Sequence, residues 1–110
     1  MAFGFHPKFE TDFKIENCTL DEFRSIVQEI YKRNGWQTLS FFNDKIVIEV
    51  PKSFSSNGET ITILLENNSA FIKSESKGFQ LSDWRKNKKN IEDFFITFND
   101  IVDNYSIEEI

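Results

Sequence analysis

Cysteine and histidine are the scarcest reactive side chains in this 110-residue chain, which has one of each, Cys18 and His6. A single cysteine cannot form a disulfide within the chain, and this cysteine usage is typical of a reducing compartment. Two ligands are also too few for the four-ligand sites that zinc prefers. Because no histidine lies near Cys18 in the sequence, we interpret Cys18 as a half-buried thiol rather than a nucleophile, and His6 as an exposed residue.

Long apolar runs and glycine-rich loops are missing as well. No stretch approaches the roughly 20 apolar residues that cross a bilayer, and residues 1–8 lack the apolar stretch of a signal peptide. We therefore predict no transmembrane segment and a cytoplasmic location. Gly35, Gly58 and Gly78 are isolated turn glycines that form no phosphate-binding loop. No pair of acids lies in the apolar surroundings that acid–base catalysis needs, so we predict no catalytic residue, no metal, no cofactor and no enzyme activity.

Basic residues are outnumbered, with 13 Lys and Arg against 18 Asp and Glu, and the net charge is −5. A negative chain repels polyanions, so nucleic acid is disfavoured as a partner. The chain is rich instead in phenylalanine, with 13 residues. Because each buried aromatic removes roughly 150–250 Å² from water, a chain with 39% hydrophobic residues can still fill one core. The length predicts a single domain over residues 1–110, in which residues 1–7 are an irregular arm.

The first elements follow from the spacing of apolar residues. Strict alternation of apolar or small residues with charged ones predicts a half-buried strand over 8–16. Thr19 and Glu22 have the spacing of a capping box, which starts a helix. The helix is expected to stop at Asn34-Gly35, where glycine allows a left-handed conformation.

Two hairpins are predicted next, 36–42 with 45–50 and 59–66 with 69–74, each closed by a two-residue turn. The predicted register places four pairs opposite one another on one face of the sheet: Leu39 with Ile48, Phe41 with Ile46, Ile63 with Ile72, and Leu65 with Ala70. A last helix is expected from about residue 84 to about 105. A second interpretation takes Asn90 and Asp93 as its capping pair and leaves 85–89 in a loop.

The resulting order β-α-β-β-β-β-α predicts a two-layer α+β fold, with an antiparallel sheet of about five strands and both helices on one face. This order resembles one repeat of the TATA-binding-protein-like fold and, more loosely, the helix-grip proteins. A topology of this kind implies no particular function.

The sheet face away from the helices is the first candidate binding surface. In the predicted register it carries five large apolar residues among polar ones: Trp36, Phe42, Val47, Leu64 and Phe71. A solvated face does not need so many, and large exposed apolar patches usually mark a binding site. The alternatives are that the arm with Phe3 and Phe5 folds over this face, or that strand twist tucks these residues under loops.

A cluster of four basic residues, Arg85, Lys86, Lys88 and Lys89, is the second candidate. Positive charge near a helix start opposes the helix dipole, which suggests contact with an anion, a phosphate or a lipid headgroup. The alternative is charge balance along a solvated helix, because residues 90–110 contain six acids and no base.

The segment Phe79-Gln80-Leu81-Ser82-Asp83-Trp84, followed by residues 87–91 (NKKNI), resembles the closing segment of a family of small uncharacterised bacterial α+β domains. The similarity covers most of the region from Phe13 to Asp100. The resemblance implies no activity and no catalytic residues. Some members are joined to membrane-embedded parts. Because this sequence has no membrane span, the resemblance implies a free-standing version here. Arg85 departs from the pattern, which has a small residue there.

Our hypothesis from the sequence is a non-catalytic binding or protein-interaction domain that uses the sheet face away from the helices. Either another protein or a second copy of this chain would be its partner. The alternative is a carrier of a small hydrophobic ligand, held in a pocket between sheet and helix.

Overall fold

A computed structural model of the chain describes residues 8–16, 18–52, 58–77 and 85–108. It confirms the predicted α+β fold and the order β-α-β-β-β-β-α. The elements are β1 (Lys8–Lys14), α1 (Leu20–Arg33), β2 (Gln37–Phe41), β3 (Lys45–Val50), β4 (Glu59–Glu66), β5 (Ser69–Ser76) and α2 (Arg85–Glu108). The predicted arm, residues 1–7, lies outside the described residues.

Helix α1 begins and ends where local chemistry predicts. The Thr19 hydroxyl accepts a hydrogen bond from the Glu22 N–H at 3.1 Å, and the Glu22 carboxylate accepts one from the Thr19 N–H at 2.8 Å. At the other end Gly35 has φ of +73°, which glycine adopts without steric cost. Four residues form the buried face of the helix: Phe23, Ile26, Val27 and Ile30.

The five strands form one antiparallel sheet in the order β1-β5-β4-β3-β2. The register confirms Ile63 opposite Ile72, Leu65 opposite Ala70 and Phe41 opposite Ile46. Side chains alternate in direction along each strand. The central strands therefore have one buried face, called the inner face, and a second face away from the helices, called the outer face.

Strand β2 contains an irregularity that the sequence did not predict. Thr38 stands opposite Ile48 and Ser40 opposite Val47, so Leu39 is an extra residue in a β-bulge. The predicted pair of Leu39 with Ile48 is therefore wrong, and the Leu39 side chain is 56% exposed. An extra residue reverses the side-chain direction of the strand residues before it. This reversal determines the position of Trp36, described below.

Helix α2 starts at Arg85, so the interpretation that leaves 85–89 in a loop is wrong. Asn90, its predicted cap, is buried in the helix interior instead. The helix packs on β1, β5 and α1. Its buried apolar residues belong to the same core cluster as those of α1 and the inner face: Ile91, Phe94, Phe98 and Ile101. Both helices thus cover one face of the sheet, and no helix of the described residues lies on the other.

Aromatic side chains fill the core where β1, α1 and α2 meet. The ring centroid of Phe13 lies 6.0 Å from that of Phe23, 5.1 Å from that of Phe95 and 5.2 Å from that of Phe98. These separations and tilts are typical of favourable aromatic pairs, each worth about 0.5–1.5 kcal/mol beyond the area it buries. The sequence has a low fraction of apolar residues, and the large phenylalanine side chains supply the core volume.

Candidate functional site

The outer face carries an apolar patch at the end of the sheet where the two hairpin turns lie. Leu64 on β4 stands directly opposite Phe71 on β5, and Val47 on β3 lies one row further along. Phe42 follows β2, and its N–H donates to the Lys45 carbonyl oxygen at 2.9 Å. We call these four residues the outer-face patch. Phe42 is 64% exposed and Leu64 is 42% exposed, while the other two are half-buried.

Trp36 does not belong to this surface. Its side chain is 9% exposed and lies in the hydrophobic core, and its N–H donates to the Tyr31 carbonyl oxygen at 2.8 Å. The physical reason is the β2 bulge, because the extra Leu39 shifts every earlier residue to the opposite face. The predicted binding face is therefore corrected from five residues to four.

The rest of the outer face is charged or polar, with opposite charges on neighbouring strands. Lys8 stands opposite Glu75, and Glu10 stands opposite Lys73. Cross-strand pairs of opposite charge stabilise a solvated sheet surface. Among the described residues of β1, β3, β4 and β5, the apolar side chains of the outer face thus belong to the outer-face patch. The proposed cover, the arm with Phe3 and Phe5, lies outside the described residues.

The predicted basic cluster occupies the first turns of α2. Lys86 and Lys88 are half-buried, and Lys89 is exposed. The Lys89 ammonium lies 2.9 Å from the Asp93 carboxylate, one turn along the helix. This ion pair favours the interpretation of charge balance along the helix, while anion contact stays a prediction. The side chain of Arg85 lies outside the described part of the chain.

An open groove runs between β1, at the edge of the sheet, and α2. Its volume is about 660 Å³. Phe9, Ile91, Phe95 and Ile96 provide its apolar walls, and Ile96 is 66% exposed. The rim is polar and of mixed charge, with Lys88, Lys89, Glu92, Asp93 and Asn99. The groove lies between sheet and helix, where the sequence suggested a pocket, but it is open to solvent instead of enclosed.

A buried polar cluster joins α2 to the inner face, and sequence reasoning missed it. The Asn87 amide accepts from the Ser74 hydroxyl at 2.8 Å and donates to the Ser76 hydroxyl at 2.9 Å. The Asn90 amide donates to Glu59 Oε1 at 2.9 Å and to the Ser74 hydroxyl at 3.3 Å. The available signal was the alternation of β4 and β5. It assigns Glu59, Ser74 and Ser76 to the face that carries Ile61, Ile63 and Ile72.

The surroundings of the Cys18 thiol disfavour its ionised form. Burial, with a smaller contribution from the Glu22 carboxylate, raises the pKa of the Cys18 thiol, so little of the nucleophilic thiolate is present near neutral pH. Within the described ranges no three His, Cys, Asp or Glu side chains converge as they would to hold a metal ion. Across those same residues no helix combines the length and the apolar character of a membrane span.

No known protein family matches this chain, and no curated protein sequence does so either.

Proposed function

We propose that this protein is a non-catalytic interaction domain that binds a protein partner through the outer-face patch of Phe42, Val47, Leu64 and Phe71. One observation carries the proposal: Phe42 and Leu64 leave 64% and 42% of their surfaces in water, on a sheet whose other face already has a formed core. Those side chains are not needed to complete that core. Large apolar side chains grouped in one place on a surface usually mark an interface.

The free energy gained by burying these side chains is large enough for the outer-face patch to anchor a partner. Removing the exposed part of a phenylalanine such as Phe42 from water is worth about 3 kcal/mol at about 25 cal/mol per Å². Aromatic anchors of this kind contribute much of the binding energy at protein interfaces. The single cysteine of the chain supports a reducing compartment, and the cytoplasm is the proposed location.

Site-specific photo-cross-linking in cells tests this function. A benzophenone derivative of phenylalanine replaces Phe42 or Phe71, which preserves the aromatic character of the outer-face patch. The matched control places it at Gln28, an exposed residue of α1 on the far side of the molecule. We expect protein adducts from positions 42 and 71 and none from position 28. Absence of adducts at both outer-face positions would refute the proposal.

A second candidate function is a carrier of a small hydrophobic ligand, and the groove between β1 and α2 favours it. Its apolar walls, Phe9, Ile91, Phe95 and Ile96, match the kind of surface that such ligands need. Small-molecule sites usually bury 70–90% of the ligand, whereas a ligand in this groove would face water along one side. The carrier therefore ranks second to the interaction domain.

A further inference from the structure

The charged residues of the outer face fall into two groups. Most form ion pairs within the chain, and on or beside this face they are Lys8 with Glu10, Lys73 with Glu75, and Lys77 with Glu49. Lys45, Asp12 and Glu66 form none with any described residue. Of these three, Lys45 and Asp12 flank Leu64 and Phe71, the apolar centre of the outer-face patch, within one row.

These two charges lie at opposite ends of one row across the sheet. Lys45 on β3 stands opposite Leu64, Leu64 opposite Phe71, and Phe71 opposite Asp12 on β1. Neighbouring strands are about 4.8 Å apart, so the row is about 14 Å long from Lys45 to Asp12. The row thus reads base, apolar, apolar, acid.

We propose that the partner of Leu64 and Phe71, the centre of the outer-face patch, is a second copy of this chain, packed face to face about a twofold axis that runs along the strands between β4 and β5. This inference rests on the proposed function. Rotation about that axis reverses the row, so Leu64 of one copy lies over Phe71 of the other and Lys45 lies over Asp12. A single twofold operation makes each of these contacts twice, as isologous interfaces require.

The same operation brings a second pair of opposite charges together. Glu49, Thr60, Glu75 and Lys8 form another row across the same four strands, and its reversal places Glu49 over Lys8. The row between the two places Val47 over Glu10 and adds no charge pair. Charge complementarity of this kind mainly selects the partner and its orientation.

The size of the shared face sets the expected strength. Four strands are roughly 20 Å wide and the overlapping strand length is roughly 20 Å, so the two copies cover roughly 800 Å² in total. Stable complexes usually bury about 1,200–2,000 Å². The dimer is therefore weak and forms at high protein concentration.

Sedimentation equilibrium of the full chain, from micromolar to millimolar concentration, tests this arrangement. We expect a monomer–dimer equilibrium that Lys45→Glu or Asp12→Lys each weakens about tenfold, since each reversal places like charges together twice. The chain with both substitutions restores the opposite charges and recovers the affinity of the unmodified chain. Lys52→Glu, a reversal of the same sign at an exposed residue after β3, leaves the equilibrium unchanged.

A chain that stays monomeric at every concentration overturns the proposed dimer, and so does a dimer that the double substitution fails to restore. Both altered side chains are exposed, so equal urea midpoints show that the variants fold alike. Cross-linking from Phe71 separates this inference from the proposed function. An adduct with another protein, together with a monomeric purified chain, refutes only the second copy, while loss of all adducts refutes both.

Discussion

The contact of Asn90 with Glu59 offers a quantitative test of how α2 is held on the sheet. Both side chains are almost fully buried, and the Asn90 amide donates to Glu59 Oε1 at 2.9 Å. The other carboxyl oxygen, Oε2, is buried and has no hydrogen-bond partner in the described structure. Asn90→Ala therefore removes the hydrogen bond that Glu59 Oε1 accepts.

The expected loss of unfolding free energy is about 3 kcal/mol. A buried polar group left without a partner costs about 1–3 kcal/mol, and here the group is the carboxyl of Glu59. The truncated side chain also leaves a small void, which adds about 1 kcal/mol. Asn99→Ala on the exposed side of the same helix is the matched control, and its expected effect is below about 0.5 kcal/mol.

Urea unfolding followed by circular dichroism measures both variants, and a double-mutant cycle isolates the contact. The cycle compares Asn90→Ala, Glu59→Ala and the chain with both substitutions. We expect a coupling energy of about 1–2 kcal/mol, because the second substitution removes the group that the first leaves unsatisfied. Additive losses, with a coupling energy below about 0.5 kcal/mol, would refute the reasoning.

Two further predictions concern a loop glycine and the thiol. Gly58→Ala is expected to lower the free energy of unfolding by about 2 kcal/mol more than Gly35→Ala in the same urea assay. Both glycines have positive φ, but only at Gly58 would the new Cβ come to 3.0 Å from the Val50 carbonyl oxygen. Equal losses of stability would contradict this reasoning. Cys18 is expected to react with a disulfide reagent more slowly in the folded chain than in urea at pH 8, because its raised pKa reduces the thiolate. Glu22→Gln, which can keep the capping box, should raise the folded rate, and an unchanged rate would exclude an effect of that charge.

Features that depend on neighbouring residues could be predicted from the sequence. The capping box of α1 involves residues three positions apart, and Thr19 and Glu22 adopt it. The turn at Asn67 likewise follows from side chains that tolerate positive φ, and Asn67 has φ of +51°. In both cases the deciding atoms lie within one turn of the chain, and the folded structure keeps the conformation that they favour.

The position of Trp36 could not be predicted, because it depends on the bulge at Leu39. No glycine or proline marks that site in the sequence, and a bulge shows itself only in the pairing of two strands. Without it Trp36 alternates onto the outer face, and with it Trp36 packs into the core. The bulge thus removes one of the five residues predicted for the outer sheet face.

The role of Asn90 was also beyond sequence reasoning, for a different reason. Asparagine followed three residues later by an acid is a common start of a helix, so the sequence favours Asn90 and Asp93 as a cap. The partner of Asn90 is instead Glu59, 31 residues earlier. A buried amide and a capping amide are identical in sequence, and only the tertiary contact distinguishes them.

The apolar pattern of the two central strands changes along their length. Residues 63–65 of β4 and 70–72 of β5 are continuous apolar runs, and they lie side by side next to the turn at Asn67. Apolar side chains on both faces of a strand depart from the alternation that is typical of a half-solvated strand. Further along the same two strands, from 59 to 62 and from 73 to 76, the outer positions are threonine, lysine and glutamate. The pattern therefore changes from apolar on both faces to apolar on one within a single hairpin, and the change coincides with the edge of the outer-face patch.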